Sequence, residues 1–596
     1  MADDSHRQAG GMGDARRSGR SQKPRGTGGA RTSDGSRTSG RPERGRPERN
    51  GRAESGGRPD QSGRPEAGRR SDGERRNERS DGQRDGRSGD KRGGRSGGAR
   101  GGNAARRGER RGTDERGGNA RRAGTDPRGV AYEVLRAVDE RDAYANLVLP
   151  QLLRERGMGG RDAALATELT YGTLRGRGTY DAVLALCSDR PLDRIDPALL
   201  DALRLGGHQL LRTRVPAHAA VATTVNLVRA HVGEGPARFA NAILRKITTR
   251  ELDAWLEIAA PAVDTDPAGH LSVVHSHPRW IVSALRDAVG GGIEETAALL
   301  AADNAAPGVT LLAKPGQATI EELTEAGATP TTWSPYGAHL ASGEPARIPA
   351  VAEGRAAVQD EASQLVAVTL AAAPLLAPAG APDAGPRSGG EGRTGNGGVW
   401  LDMCAGPGGK ASVLAGLAGA RGARVLACDV GRNRAKLARR ALDGEVRAGN
   451  AAVVVADGAG AAWKDAGFDR VLVDAPCTGL GALRRRPEAR WRRGPEAVAE
   501  LGQVQRRLLA SALDAVRPGG VVAYATCSPH LAETRVVVED ILRKRPDVEV
   551  LDAPAVLTEA LGAAPELDPG PYLWLWPHRH GTDAMFCALL RRGPIA

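Results

Sequence analysis

From Val351 onward, apolar runs of strand length alternate with runs of helical spacing, and few folds accept that pattern. The strand-like runs are Val399–Met403, Arg424–Cys428, Val453–Ala456, Arg470–Val473 and Gly520–Thr526. Helical spacing fills Ala411–Leu417, Arg432–Leu442 and Pro495–Val516 between them. Such alternation predicts an α/β domain built on a doubly wound parallel sheet. The first strand-to-helix turn is Asp402-Met-Cys-Ala-Gly-Pro-Gly-Gly-Lys410. Its glycines allow a tight turn and close approach of a ligand to a helix N-terminus, as in a Rossmann-like domain. A Walker A loop is excluded, since that pattern needs Gly at 404 and Ser or Thr at 411, where Cys404 and Ala411 stand.

Three acids follow successive strand runs. Asp429 ends the second strand, 20 residues after Gly409, where a carboxylate can bind ribose hydroxyls. Asp457 and Asp474 end the next two. Strand C-termini of a doubly wound sheet converge on one crevice, so the three would surround a nucleoside with a cationic amino-acid end, such as S-adenosylmethionine. Any one of them alone could be an ordinary helix cap or turn residue. On the glycine turn alone, a nicotinamide cofactor remains open.

Two cysteines then follow strand runs, Cys477 in Asp-Ala-Pro-Cys-Thr-Gly and Cys527 in Ala-Thr-Cys-Ser-Pro. A thiolate can add to C6 of a pyrimidine and turn C5 into a carbon nucleophile. A second ionisable group beside that carbon can help dismantle the adduct. The attacking thiol needs a nearby cation, dipole or base, because it is weakly ionised at neutral pH. A cysteine after a buried strand is otherwise a small core residue. Cys187, Cys404 and Cys428 fit that description, although Cys404 can offer backbone to a cofactor.

Upstream, Val130, Val134, Leu135 and Val138 open a segment of helical spacing that runs to Leu256. It predicts an all-α domain over 128–256. Residues 257–350 mix helices at Trp280–Val289 and Glu294–Asp303 with short apolar runs such as Val309–Ala313, which suggests a small α+β unit. The catalytic candidate spans 351–594, interrupted by an Ala/Pro/Gly/Arg/Ser insertion at 373–398 expected to be a flexible loop.

Residues 1–127 carry 33 Lys and Arg against 19 Asp and Glu, whereas the whole chain has a net charge of only +13. With almost no large apolar side chains, this tail predicts disorder. It suits salt-sensitive contact with phosphates or serves as a solvated extension. No apolar stretch reads as a secretory signal or membrane span, and the acids in the tail argue against a transit peptide. Six scattered cysteines without disulfide spacing predict a reduced, cytoplasmic protein. His275, His277, His578 and His580 lack the spacing of a metal site, so no metal is expected.

Seven motifs together resemble the bacterial 16S ribosomal RNA cytosine-5 methyltransferases of the Sun/Fmu type. They are Ala237-Arg-Phe-Ala-Asn-Ala-Ile-Leu-Arg245, His275-Ser-His-Pro-Arg-Trp280, Val358-Gln-Asp-Glu-Ala-Ser-Gln364, the glycine turn, Asp474-Ala-Pro-Cys-Thr-Gly479, Tyr524-Ala-Thr-Cys-Ser-Pro529 and Trp576-Pro-His-Arg-His-Gly-Thr-Asp583. The resemblance covers residues 128–594. It implies a NusB-like RNA-binding helical domain, a small RNA-binding subdomain and an S-adenosylmethionine-dependent methyltransferase domain. Cofactor contacts would come from Cys404, Ala405, Gly406, Pro407, Gly408, Gly409, Lys410, Asp429, Asp457 and Asp474. It further implies Cys527 as nucleophile and Cys477 as the group that assists release, with Asp474 and Lys410 steadying the cytosine. Gly406 departs from the family's usual alanine, a change expected to be harmless. Cytosine-5 DNA methyltransferases instead place a Pro-Cys-Gln nucleophile on the earlier strand. The partner expected is RNA, most simply 16S rRNA, met by a monomer. The competing reading is a non-catalytic NusB-like RNA-binding or antitermination factor, which predicts a decayed catalytic half.

Overall fold

The computed structural model describes residues 126–377 and 398–593, except 461, 464, 564 and 565. The tail at 1–125 and the insertion at 378–397 lie outside the described residues.

Pro127–Arg141, Ala145–Glu155, Gly160–Cys187, Pro197–Arg212, Ala217–His231, Glu234–Ile247 and Leu252–Ala259 are all helices. Val130, Val134, Leu135 and Val138 share one buried face of the first helix, as the apolar spacing requires. They join Leu169, Leu203, Leu205, Leu244 and Ile247 in a single core. Each such buried side chain stabilises by ~1.5–3 kcal/mol, before the entropy cost of ordering it.

Helices at Pro267–Val274, Arg279–Ala288 and Ile293–Asn304 lead into a four-stranded antiparallel sheet. Its strands are β1 (Val309–Ala313), β2 (Ala328–Pro330), β3 (Gly337–Leu340) and β4 (Ala356–Val358), in the order β2-β3-β1-β4. The fourth strand falls beyond the boundary expected at 350. Its three residues are too short to register as an apolar run, and pairing with Leu311–Ala313 is what makes them a strand.

The larger sheet has eight strands: β5 (Val399–Asp402), β6 (Arg424–Asp429), β7 (Ala451–Val455), β8 (Phe468–Asp474), β9 (Val516–Thr526), β10 (Val548–Leu551), β11 (Leu573–Leu575) and β12 (Met585–Arg592). The order is β10-β12-β9-β8-β5-β6-β7, with β11 on β12. Strands β5 to β9 are mutually parallel, as the alternation predicts. β12 pairs antiparallel with β9 and carries β10 and β11 antiparallel on its other side.

Alternate residues feed two cores. Trp400, Val425, Ala427, Leu472, Ala523 and Ala525 meet helices Glu361–Ala372 and Gly409–Gly419 on one face. Leu401, Cys428, Val471, Val473, Val522 and Tyr524 meet Glu496–Ala515 and Arg535–Leu542 on the other. This two-sided burial is why the strand runs read as continuously apolar.

Residues 373–377, expected to open the flexible insertion, are instead tied down. Buried Arg470 donates to the carbonyls of Leu370, Ala371 and Ala373 at 2.7–3.0 Å, and Leu376 N–H donates to Gly519 O at 2.9 Å. These partners lie 97 or more residues away in the chain, so the composition of the segment could not reveal them.

One short segment joins the helical region to the large sheet. Fully buried Arg490 donates to the carbonyls of Arg175 and Ser276 at 3.2 Å, to Asp303 O at 2.9 Å and to Asn304 Oδ1 at 2.7 Å. Glu488 Oε1 accepts from Ala145 N–H at 3.2 Å. Among the described residues no helix is long and apolar enough to cross a membrane.

Candidate active site

Because β5, β6, β8 and β9 run parallel, their C-termini open on one edge, and the predicted residues gather there. Asp402 lies beside Ala427 and Leu472, and Asp474 beside Ala525, two residues before Cys527.

The glycine turn continues both flanking ladders before turning away. Met403 N–H donates to Leu472 O at 2.9 Å and Ala405 N–H to Cys428 O at 2.8 Å. After Pro407, Gly408 has φ +117°, where an L side chain is strained, and a Cβ there would sit 2.9 Å from the Ala438 backbone. The helix begins at Gly409, which puts Lys410 in its first turn.

Asp429 is buried and fixes this turn. Its Oδ2 accepts from Gly406 N–H at 3.1 Å and Arg434 Nε at 3.0 Å, and its Oδ1 from Gly431 N–H at 2.8 Å. Arg434 also donates to Gly406 O. The glycine at 406 is therefore more than a harmless departure: a Cβ would fall 2.5 Å from Asp429 Oδ2 and 2.6 Å from Arg434 Cβ. Its missing side chain makes room for this arginine, which sequence spacing did not single out.

Asp457 is exposed and braces its own turn, accepting from Ala459 N–H at 3.0 Å. The next residue, Gly458, lies against Met403, so this turn neighbours the glycine turn. Cys404 is a poor nucleophile: burial pushes its thiol well up, while its N–H donates to Asp402 Oδ1 at 3.3 Å.

Asp402 was not among the predicted site residues. It is fully buried, and Oδ2 has no hydrogen-bond partner. Burial, reinforced by the nearby charge of Asp474, pushes its carboxyl up to about 8. Lys410 extends over the same floor, with Nζ 2.9 Å from Asp474 Oδ2 and 3.4 Å from Ser363 Oγ. Burial alone would lower the lysine; Asp474 outweighs it and holds the ammonium above its ordinary value.

The two cysteines meet at the rim. Their sulfurs are 3.4 Å apart and both are half-buried. The pair shares a hydrogen bond that splits their acidities. Cys477 as donor draws Cys527 below the ordinary thiol value against burial, helped by Lys410. The same bond and then burial drive Cys477 far up. The arrangement is two thiols in contact, of which Cys527 is the more acidic.

The supporting contacts span sequence distances that no local motif encodes. Arg493 donates to Cys477 O at 2.8 Å, and Gly481 N–H to Cys527 O at 2.8 Å. Arg484 and Arg485 bind Asp360 and Asp583 in one buried network, so two of the sequence motifs, 358–364 and 576–583, close on the segment that follows 474–479. Among the histidines, His578 Nε2 lies 3.1 Å from Glu295 Oε1. His580 Nδ1 accepts from Trp576 N–H at 2.8 Å, and His277 Nδ1 pairs with His275 O at 2.7 Å. A cavity of about 1190 Å³ lies away from this chemistry, between the small sheet and the helix Gly409–Gly419, lined by Pro315, Trp333, Gly416 and Leu561.

Fold and crevice thus define a doubly wound domain with a paired-thiol site, attached to a helical domain. Residues 393–591 match the model of the family described as 16S rRNA methyltransferase RsmB/F, and residues 125–249 match the NusB family. A putative methyltransferase of Mycobacterium tuberculosis is 51% identical over 474 residues, which is 79% of this chain and 98% of that protein. Ribosomal RNA small subunit methyltransferase B of Pseudomonas putida is 32% identical over 439 residues, 72% of this chain and 91% of that protein. The crystal structure of PH0851 superposes with a TM-score of 0.61 at 22% identity, covering 78% of this chain and 99% of that one, a likeness of fold. The chain belongs to the RsmB/F family of 16S rRNA methyltransferases.

Proposed function

We propose that this protein transfers a methyl group from S-adenosylmethionine to carbon 5 of a cytosine in 16S rRNA, through a transient bond between Cys527 Sγ and C6. The observation that carries the reading is the 3.4 Å thiol pair with its split acidity, above a buried lysine.

The crevice fits the cofactor. The 404–410 turn offers backbone at a helix start, Asp429, Asp457 and Asp474 offer carboxylates, and buried Asp402 Oδ2 has no protein partner. When bound, S-adenosylmethionine supplies an electrophilic methyl group.

The chain's own residues supply the remainder. The target base leaves its RNA stack for the crevice, which costs least in an accessible loop. Cys527 thiolate adds to C6, and the displaced electron pair moves toward C5. Lys410 keeps positive charge near that sulfur, while Asp474 anchors the lysine. Once C5 is methylated, a base removes its proton, the C5–C6 double bond returns and Cys527 leaves as thiolate. Cys477 stands next to the departing sulfur and assists this release.

In this reading, residues 128–256 and 257–350 hold the RNA, and the protein works in the cytoplasm as a monomer. The test is methylation of purified 16S rRNA and of small-subunit particles with methyl-labelled cofactor, followed by bisulfite sequencing of rRNA from a deletion strain. One cytosine should lose its protection in that strain. Label found on another base contradicts the proposal.

A further inference from the structure

Neither thiol is held by its own strand alone. Cys477 lies three residues past β8 and Cys527 one residue past β9, each on a separate loop. Between those loops lies the fully buried carboxylate of Glu533, six residues downstream of Cys527. Its Oε1 accepts from Thr478 N–H at 2.8 Å and from Gln505 Nε2 at 3.2 Å. Its Oε2 accepts from Ser528 Oγ at 2.6 Å and from Thr478 Oγ1. The two hydroxyls also meet each other at 3.0 Å, and Gln505 donates to Pro476 O at 2.9 Å. Thus the residue following each cysteine is bonded to one carboxylate. Tyr524 OH, donating to Glu533 O at 2.7 Å, fixes the clamp to β9.

A buried carboxylate is expensive unless its lone pairs are filled, and here four donors converge on it. Four bonds far exceed what a loop needs to close. What they add is a fixed relation between two chain segments 50 residues apart, whose cysteine sulfurs are in contact.

We propose that Glu533 is a positioning residue: its carboxylate ties the Cys477 and Cys527 loops into one rigid unit and so sets the distance at which the two sulfurs exchange a proton. This inference rests on the proposed use of both cysteines. A second effect works in the same direction. After the Cys527 hydrogen bond and burial, the nearby Glu533 charge is a further cause that keeps the proton on Cys477.

The test uses the full chain and diamide, which accepts two hydrogens as the thiols of Cys477 and Cys527 join in a disulfide. Cross-link formation is followed by mass spectrometry in the wild type, Glu533→Gln, Glu533→Ala and Ser528→Ala, alongside the thermal midpoint and S-adenosylhomocysteine binding. Gln keeps an acceptor for Thr478 N–H, and its amide can donate to hydroxyls that reverse their own bonds, so it should cross-link within about 3-fold of wild type. Both alanine variants should cross-link more slowly, on the order of 10-fold, with unchanged binding, because the sulfurs are no longer held together; the midpoint should fall most in Glu533→Ala, which leaves four buried donors unpaired. Turnover should fall in kcat and not in KM for the cofactor. If Glu533→Ala does not fold, Ser528→Ala decides alone. Wild-type cross-linking in a folded alanine variant overturns the inference, as does a Gln variant as impaired as alanine. Failure of the covalent mechanism is read separately, as methylation retained by Cys527→Ala.

Discussion

Cys587 and Cys527 lie almost side by side, yet they are chemically opposite. Cys587 faces Ala525 across the β9–β12 ladder, two residues before Cys527. Burial pushes its thiol up to about 12, and the Lys410 charge offsets only part of that. Cys428, inside β6, is raised to about 11, also chiefly by burial. Cys527 is drawn down because a second thiol and a lysine reach it. The strand delivers the cysteine; the partner decides whether it is a core side chain or a nucleophile.

The comparison breaks most decisively at the reacting sulfur. Cys527→Ala should remove methylation altogether, a loss of at least ~10³-fold, with S-adenosylhomocysteine affinity unchanged by calorimetry. An equal loss of ligand affinity would make Cys527 a structural residue like Cys587.

The second test asks whether the partner sets the acidity. Alkylation of Cys527 by iodoacetamide should rise with pH through a midpoint below the ordinary 9.0. Only the thiolate reacts, so a lowered value moves the rising limb to lower pH. Cys477→Ala removes the first cause of that lowering and should shift the limb upward; Cys587→Ala should leave it in place. A limb that ignores residue 477 dissolves the contrast.

Arg490→Leu tests how far the site depends on its surroundings. The change leaves the carbonyls of Arg175, Ser276 and Asp303 without their donor, at a cost of ~3 kcal/mol or more. Denaturant unfolding should show the helical region separating from the large sheet at lower concentration. A single unchanged transition would contradict the joint.

The smallest effect is expected at Cys587→Ala, which deletes one buried sulfur and costs ~1 kcal/mol of stability while sparing methylation. Lost turnover in a stable variant would extend the reactive region beyond the crevice.

The fold and the crevice were legible in the sequence to different depths. Apolar runs ending in Asp429 and Asp474 read directly, because a strand buried on both faces must be apolar until its polar end. The antiparallel strands β10, β11 and β12 escaped, since such additions interrupt the strand–helix alternation. Within the site, Cys477 and Cys527 were readable as strand-end residues. Glu533 and the network of Asp360, Arg484, Arg485 and Asp583 were not, because their partners lie up to 223 residues away. Local spacing encodes which edge a residue reaches, and tertiary pairing encodes what it meets there.

The proposed chemistry turns on a covalent bond from Cys527 to the base. Incubating Cys477→Ala with 16S rRNA and S-adenosylmethionine, then denaturing and digesting, tests it most directly. The account predicts a persistent RNA–protein adduct whose mass maps to the peptide carrying Cys527 and disappears when that residue is also alanine. Free turnover without an adduct, or an adduct on any other residue, would contradict it.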